Sequence, residues 1–412
     1  MRSDMGFCNG WEKNVIIQQV AIYGVLGLTY LGLALGYIPG LRMNRATIAL
    51  VGSAFLIALG ALSLQEAWLA IDAKTIVFLL SMMVVNANLF YAGFFGRSLS
   101  ILLSLTRTPL GLLIALTFGS AILSAFFLND TLALIFTPLT LSLTQTLGLN
   151  PIPYLLAIAA ATNIGSVATI SGNPQNILIG SFSGISYLDF AQALAPVAVA
   201  GLFIQVALLW LLYPDVRSTQ PCEMLAVGKE RIFRPLFNKT LVVTVGLLIA
   251  FAIGLPLAES ALIAASLLLI TRRLKPQRIL SKIDGNLLLM FSGLFILTRV
   301  IQNLDLLQPF TNVVSIPAGL IGITAILSNM ISNVPTVLLL EPLIPRDNTQ
   351  LWLLLAASST LAGNLTLFGA VANLIVVEAT AELGYRLTFW EHLRFGVPLT
   401  VCTLFLVDLW VG

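Results

Sequence analysis

Two sets of uncharged polar residues are set into otherwise apolar sequence, and the second repeats the first. Ser124, Asn129 and Pro138 are followed by Thr169, Gly172 and Asn176; Ser328, Asn333 and Pro342 are followed by Thr366, Gly369 and Asn373. The first triplet recurs 204 residues on (333 minus 129) and the second 197 residues on (373 minus 176), so one loop is seven residues shorter and the rest of the register holds. Around these positions lie the tips Leu128-Asn129-Asp130-Thr131 and Ser332-Asn333-Val334-Pro335-Thr336. Beyond them come the runs Thr162-Asn163-Ile164-Gly165-Ser166 to Asn173-Pro174-Gln175-Asn176 and Gly363-Asn364-Leu365-Thr366 to Asn373. Amides both donate and accept, glycine lets backbone open and approach a ligand, and Pro174 removes a donor. Such groups cap helix ends and hold ligands reversibly. They do not supply a nucleophile with its base, and no His/Asp/Glu cluster suggests a metal site. The candidate binding residues are therefore Asn129, Thr131, Asn163, Thr169, Gly172, Asn173, Asn176, Asn333, Thr336, Asn364, Thr366, Gly369 and Asn373.

Two carboxylates break the repeat. Asp130 stands where the second copy has Val334, and Glu341 where the first has Thr137. An ionisable side chain within a membrane segment is expensive and by default functional. Both are candidate ion-coupling residues: Asp130 can carry a proton, or with Asn129 and Asn333 hold a Na⁺ ion through oxygen ligands. H⁺ or Na⁺ as coupling ion is the only cofactor requirement the residues suggest. Arg97 and Arg299, a further repeated pair, read as residues snorkelling to the interface. The single histidine, His392, reads as interfacial beside Glu391 and Arg394, and Glu378 and Glu382 as the end of a span meeting water. Cys8, Cys222 and Cys402 match no metal motif.

The elements that must position these residues are membrane helices. Hydrophobic residues make up 58% of the chain and charged ones 9%, and the mean hydropathy of +0.97 is outside the range of soluble domains. Uninterrupted apolar runs of about 20 residues fit helices crossing a bilayer. No cleavable secretory signal is evident in the first 14 residues, and nothing points to nucleic acid. Basic residues are absent between Arg107 and Arg217, then cluster at Arg217, Lys229, Arg231, Arg234 and Lys239 and at Arg272, Arg273, Lys275, Arg278 and Lys282. The positive-inside bias puts both clusters in the cytoplasm.

Working outward gives spans near 16–38, 46–64 and 75–95, a re-entrant hairpin near 112–147, a broken span near 151–185 and a span near 190–213. After a cytoplasmic linker over 214–239 the order repeats: spans near 240–255, 257–271 and 286–304, a hairpin near 316–345, a broken span near 350–378 and a span near 394–411. Each copy makes five crossings, an odd number, so the second is inverted relative to the first. The expected domains are a first inverted repeat over 1–213, the linker, and a second over 240–412. Interrupted hydrophobic segments at corresponding positions of two halves mark the midplane site of a secondary transporter.

Phe127-Leu128-Asn129-Asp130 with Thr137-Pro138, the run Thr162 to Asn176 and Ser332-Asn333-Val334-Pro335-Thr336 together resemble the ion transporter superfamily of arsenite permeases, citrate and dicarboxylate/sodium symporters and related sodium/proton antiporters. The resemblance covers nearly the whole chain. It implies an all-α polytopic elevator-type transporter, a homodimer in the lipid bilayer of a prokaryotic plasma (inner) membrane. It also implies a small ion substrate held between hairpin tips and broken-helix loops. Dicarboxylate symporters carry Ser-Asn-Thr at both tips, which neither tip here matches. Leu128-Asn129-Asp130 resembles the arsenite-permease branch, and the sequence is read as closest to arsenite-permease-like anion permeases. The expected function is secondary active transport of a small anion or arsenite coupled to H⁺ or Na⁺. Na⁺/H⁺ antiport is the alternative, and an intramembrane enzyme a remote one.

Overall fold

A computed structural model describes residues 5–104, 106–218, 234–382, 384–385 and 387–412. Cys222, Lys229 and Arg231 lie outside the described residues. In chain order the α-helices are α1 Met5–Leu35, α2 Arg45–Ala58, α3 Leu64–Ala70, α4 Ala73–Ala92, α5 Phe94–Ser104, α6 Pro109–Phe126, α7 Asn129–Thr146, α8 Ile152–Ser166, α9 Pro174–Ser183 and α10 Tyr187–Leu212. They continue as α11 Arg234–Ala252, α12 Leu257–Leu269, α13 Pro276–Leu280, α14 Gly285–Asn303, α15 Thr311–Val314, α16 Pro317–Ile331, α17 Asn333–Leu340, α18 Thr349–Ala362, α19 Val371–Glu382 and α20 Phe389–Val411. No strand occurs among the described residues. Seven of these helices are long and apolar enough to cross a membrane.

Local chemistry sets the boundaries. Asn44 with Thr47, Ser63 with Glu66 and Thr388 with Glu391 each form a capping box that starts α2, α3 and α20. The Glu66 carboxylate accepts from Ser63 backbone N–H and hydroxyl, which holds its pKa below the usual carboxylate value. Thr108 caps α6 and Asn173 caps α9, each followed by proline at the first helical position, where its missing N–H costs nothing.

The chain divides into two compact units, each drawing on both halves of the sequence. The first comprises Met1–Ala73 and Asp284–Thr311. Here α14 lies against α2 at Gly293, where a Cβ would stand 2.8 Å from Ala49 carbonyl carbon. Ser53 Oγ donates to the carbonyls of Ala49 at 2.7 Å and Gly293 at 2.9 Å, sealing the same joint.

The second unit, Lys74–Ile283 with Asn312–Gly412, holds every candidate site residue. In it α6 and α7 form a hairpin and α8 packs on α6; α16 and α17 form a second hairpin and α18 packs on α16. A Cβ on Gly165 would come within 2.3 Å of Ala121 carbonyl oxygen, so glycine is what allows α8 to lie directly on α6. The two innermost helices are closed off from any surrounding medium. Every residue of α8 from Pro153 to Ser166 and of α18 from Leu351 to Ala362 is buried. By contrast Phe203 and Leu211 on α10, Val242 and Ile249 on α11, and Phe405 and Leu409 on α20 are exposed apolar residues. Helices with one buried and one exposed apolar face suit a protein boundary with lipid, and the chain is an integral membrane protein.

Several elements depart from the sequence expectation. The span placed at 46–64 is the 14-residue α2 followed by the separate short α3. Helix α5 was not foreseen, nor were α13 and α15. Pro138 lies inside α7, whereas its counterpart Pro342 sits in a short 3₁₀ turn, Glu341–Leu343, that ends the second hairpin's return limb. The return limb α17 is therefore only 8 residues long against 18 for α7.

Candidate functional site

Both broken helices open between an inner helix and a shorter outer one: α8 gives way after Ser166 and resumes as α9 at Pro174, while α18 gives way after Ala362 and resumes as α19 at Val371. Helix ends buried in the protein leave carbonyls and N–H groups that need partners. The sequence supplies them in the same register twice. Asn176 Nδ2 donates to the carbonyls of Ser166 at 3.0 Å and Thr169 at 2.9 Å. Asn373 Nδ2 donates to those of Gly363 at 2.8 Å and Thr366 at 3.0 Å, each partner 197 residues further on. The glycines match as well. A Cβ on Gly172 would lie 2.5 Å from Ser166 carbonyl oxygen, and one on Gly369 would lie 2.8 Å from that of Gly363.

The hairpins close onto these openings. Thr169 Oγ1 donates to Ala125 carbonyl oxygen, and Thr366 Oγ1 donates to Asn329 Oδ1 at 2.9 Å. Asn329 in turn donates to Ala362 carbonyl oxygen at 2.9 Å. Ser124 Oγ donates to Thr162 carbonyl oxygen at 2.5 Å. The tips themselves differ. The first turns through extended Phe127 and through Leu128. The second turns on Ser332 at φ 78°, ψ 162°, a conformation that glycine alone adopts without strain. Thr336 holds that strained residue, its N–H and Oγ1 donating to Ser332 carbonyl oxygen at 3.2 and 2.9 Å.

Amides then join the two copies. Asn129 Nδ2 donates to Asn163 Oδ1 at 3.2 Å, and Asn163 Nδ2 donates to Asn364 Oδ1 at 2.8 Å. Asn333, in the amide orientation its surroundings satisfy, donates to the carbonyls of Ser359 at 3.0 Å and Gly369 at 3.2 Å. Asn173 caps α9 by accepting from Asn176 N–H at 2.8 Å, and its Nδ2 donates to Ser166 Oγ at 2.9 Å and Thr360 Oγ1 at 3.2 Å. All of these asparagines are buried. Four of their polar atoms have no protein partner: Asn129 Oδ1, Asn176 Oδ1, Asn373 Oδ1 and Asn364 Nδ2.

The structure thus gathers Asn129, Asn163, Thr169, Gly172, Asn173, Asn176, Asn333, Asn364, Thr366, Gly369 and Asn373 into two linked crossovers. Asp130 and Thr131 are half-buried in the first turn of α7, beside Asn129. Thr336 is spent on its own hairpin tip. Glu341 is half-buried beyond the end of α17, about 12 Å along the helix axis from Asn333. Sequence reading missed Asn329 and Thr360, although Asn329 falls 204 residues after Ala125 and could have been found from that register. It also misplaced His392, which is buried against the second crossover. Arg97 and Arg299 are exposed, as snorkelling residues should be. A cleft of about 330 Å³ runs beside α9, lined by residues including Lys74, Phe78, Gly180, Pro256 and Glu259, and none of the crossover amides lines it. Among the described residues no group of three or more His, Cys, Asp or Glu could hold a metal ion.

Paired hairpins and paired broken helices meeting in an uncharged, buried, polar centre define a membrane transporter. The model of the citrate transporter family (CitMHS) matches residues 34–346, and the chain belongs to that family. It is 31% identical to the silicon efflux transporter LSI3 of Oryza sativa subsp. japonica, over 88% of this chain and 91% of that protein. It is 28% identical to a 46 kDa membrane protein of Mycobacterium leprae, over 94% and 98% of the two chains, and 26% identical to the putative transporter arsB of Dictyostelium discoideum, over 88% and 86%. The crystal structure of the Alcanivorax borkumensis YdaH transporter is similar in fold, with a TM-score of 0.58 at 13% identity over 97% of this chain and 98% of that one.

Proposed function

We propose that the chain is a secondary active transporter of a small, weakly acidic oxyacid of the silicic or arsenous acid kind, coupled to H⁺ through Asp130. The observation that carries this reading is the chemistry of the unpartnered atoms. Three are buried amide oxygens, those of Asn129, Asn176 and Asn373, and acceptors call for donors. A neutral oxyacid presents several hydroxyls that donate. A citrate-like polyanion would instead set carboxylate oxygens against amide oxygens and Asp130, with no Lys or Arg among the crossover residues to offset the repulsion. The family is named for citrate, but a silicon efflux transporter is among the relatives, which supports the oxyacid reading.

The same oxygens also suit Na⁺, which takes oxygen ligands, so Na⁺/H⁺ antiport is the second reading. The repeated register of bonds at Asn176 and Asn373 supports two structural copies, which we take to be related by inversion and to move as an elevator within a homodimer in a prokaryotic plasma membrane. Neutralising the carboxylate tests the core of the proposal. In proteoliposomes with an imposed pH gradient, Asp130→Asn should abolish gradient-driven uptake of arsenous acid while the purified variant keeps its thermal stability. Undiminished coupled uptake in that variant would remove Asp130 from the mechanism.

A further inference from the structure

The single histidine lies where sequence alone did not put it. His392 is 2% exposed, and its Nε2 stands 3.0 Å from the backbone carbonyl oxygen of Asn364. A carbonyl can only accept, so Nε2 carries the hydrogen and the neutral ring presents a bare lone pair at Nδ1. That atom is buried and has no partner. One turn further along α20, a Cβ on Gly396 would come within 2.4 Å of the same Asn364 oxygen and 2.9 Å of Leu365 oxygen. His392 and Gly396 together clasp the opening of the second broken helix. Asn364 is in turn bonded through Asn163 to Asn129 at the first hairpin tip.

A structural ring would not need to be an imidazole. The interior prolines of α10 and α20, Pro196 and Pro398, are 202 residues apart, and this register sets Phe190 opposite His392. Phe190 is fully buried, so the first copy fills the position with an apolar ring. Replacing phenyl by imidazole places an unpartnered nitrogen inside the protein, a cost that a space-filling role does not explain.

The charged surroundings are sparse. Helices α16 and α18, which pack on α20, contain no titratable residue. Helix α10 brings Tyr187 and Asp189 at its start, and Tyr213 at its end feels the charges of Glu391 and Arg394. On α20 itself, Glu391 is engaged by Thr388 N–H and Oγ1, both at 2.9 Å; Arg394, Cys402 and Asp408 complete the set.

We propose that His392 is a proton-linked positioning residue of the transport cycle, a second protonation point distinct from Asp130. A proton from solution binds the Nδ1 lone pair, the ring becomes an imidazolium with a donor at each nitrogen, and the Nε2–H bond to Asn364 becomes charge-assisted. The tightened clasp is passed through Asn364 and Asn163 to the lining. This rests on the transport reading above.

Because the chain has one histidine, ring-¹⁵N-histidine labelling of the full-length protein in nanodiscs reports this site alone. The expected result is a change of the ring from the neutral Nε2–H form to imidazolium as the pH is lowered from about 8 to about 3.5, because a buried ring takes up its proton less readily than a free one. In proteoliposomes, arsenous acid flux should show a pH-dependent limb that follows the ring's titration, with a slope of at most about tenfold per pH unit. His392→Gln, which keeps a donor for Asn364, should lose that limb while retaining the plateau rate within about twofold, and His392→Phe, the first-copy residue, should also lose it. A ring that stays neutral throughout, or a limb that survives in His392→Gln, overturns the proposal. If no oxyacid is transported at all, the transport reading fails, and the ring titration still decides whether His392 takes up a proton.

Discussion

Asn163 is the middle member of the amide chain from Asn129 to Asn364 that joins the two copies alongside Asn173 and Thr360, and replacing it by leucine is the sharpest perturbation of that chain. The substitution keeps the shape and removes both the bond from Asn129 at 3.2 Å and the bond to Asn364 at 2.8 Å. Side-chain hydrogen bonds inside membrane proteins contribute about 0.6 kcal/mol on average and about 1.7 at most. Losing two therefore costs about 1–3 kcal/mol. The upper half of that range is expected, because Asn129 Oδ1 and Asn364 Nδ2 already have no partner and both amides would then be wholly unpaired in a buried site. If the cost falls on the substrate-holding conformation, transport efficiency drops between about fivefold and about 150-fold. The assay is initial-rate flux in proteoliposomes for Asn163→Leu, Asn364→Leu and the double variant, with thermal unfolding in nanodiscs alongside. The double variant should be milder than the sum of the singles by about 0.5–1.7 kcal/mol, the coupling expected of residues in direct contact. Strict additivity, or an Asn163→Leu protein within twofold of wild type, would refute the idea that this amide chain organises the site.

Three further outcomes follow from particular contacts. Asn176→Leu and Asn373→Leu each remove a pair of bonds to the carbonyls of an opened helix, so both should lower stability by a similar amount, about 1–3 kcal/mol by thermal unfolding; a loss confined to one copy would break the equivalence of the crossovers. Gly172→Ala would push a Cβ to 2.5 Å from Ser166 carbonyl oxygen, backbone that cannot yield cheaply, and should cost about 1–3 kcal/mol, with flux lost at least in proportion. Ser332→Gly should relieve the strain at φ 78° and raise stability by about 1 kcal/mol net of glycine's own entropic cost, which a rise in melting temperature would show, whereas Ser332→Ala should show no such gain.

The repeat was legible because it is written in residue types that membrane helices otherwise avoid in clusters. The 197-residue offset read from Thr169, Gly172 and Asn176 is the offset at which their hydrogen bonds and close approaches recur. The hairpin tips were legible for the same reason, since Asn129 and Asn333 interrupt apolar runs. What escaped was whatever depends on a partner distant in sequence. His392 sits among Glu391, Arg394 and a capping threonine, which reads as a helix start at a water interface; only packing of α20 on the loop after α18 buries it. Asn329 and Thr360 look like ordinary polar residues of membrane helices until Thr366, Asn173 and Gln175 are brought to them. The short α3 and α5 were invisible to a search for apolar runs because neither is long enough to span a bilayer. Glu341 was singled out for its charge, yet Pro342 ends α17 beside it and leaves it beyond the hairpin's return limb.

The most direct measurement is uptake into proteoliposomes containing the purified protein, under an imposed pH gradient, with arsenous acid, silicic acid and citrate offered separately and Na⁺ exchange followed in parallel. Gradient-driven accumulation of an oxyacid, abolished by Asp130→Asn and absent for citrate, is the predicted result. Accumulation of citrate in preference to either oxyacid, or Na⁺ exchange indifferent to all three, would contradict it.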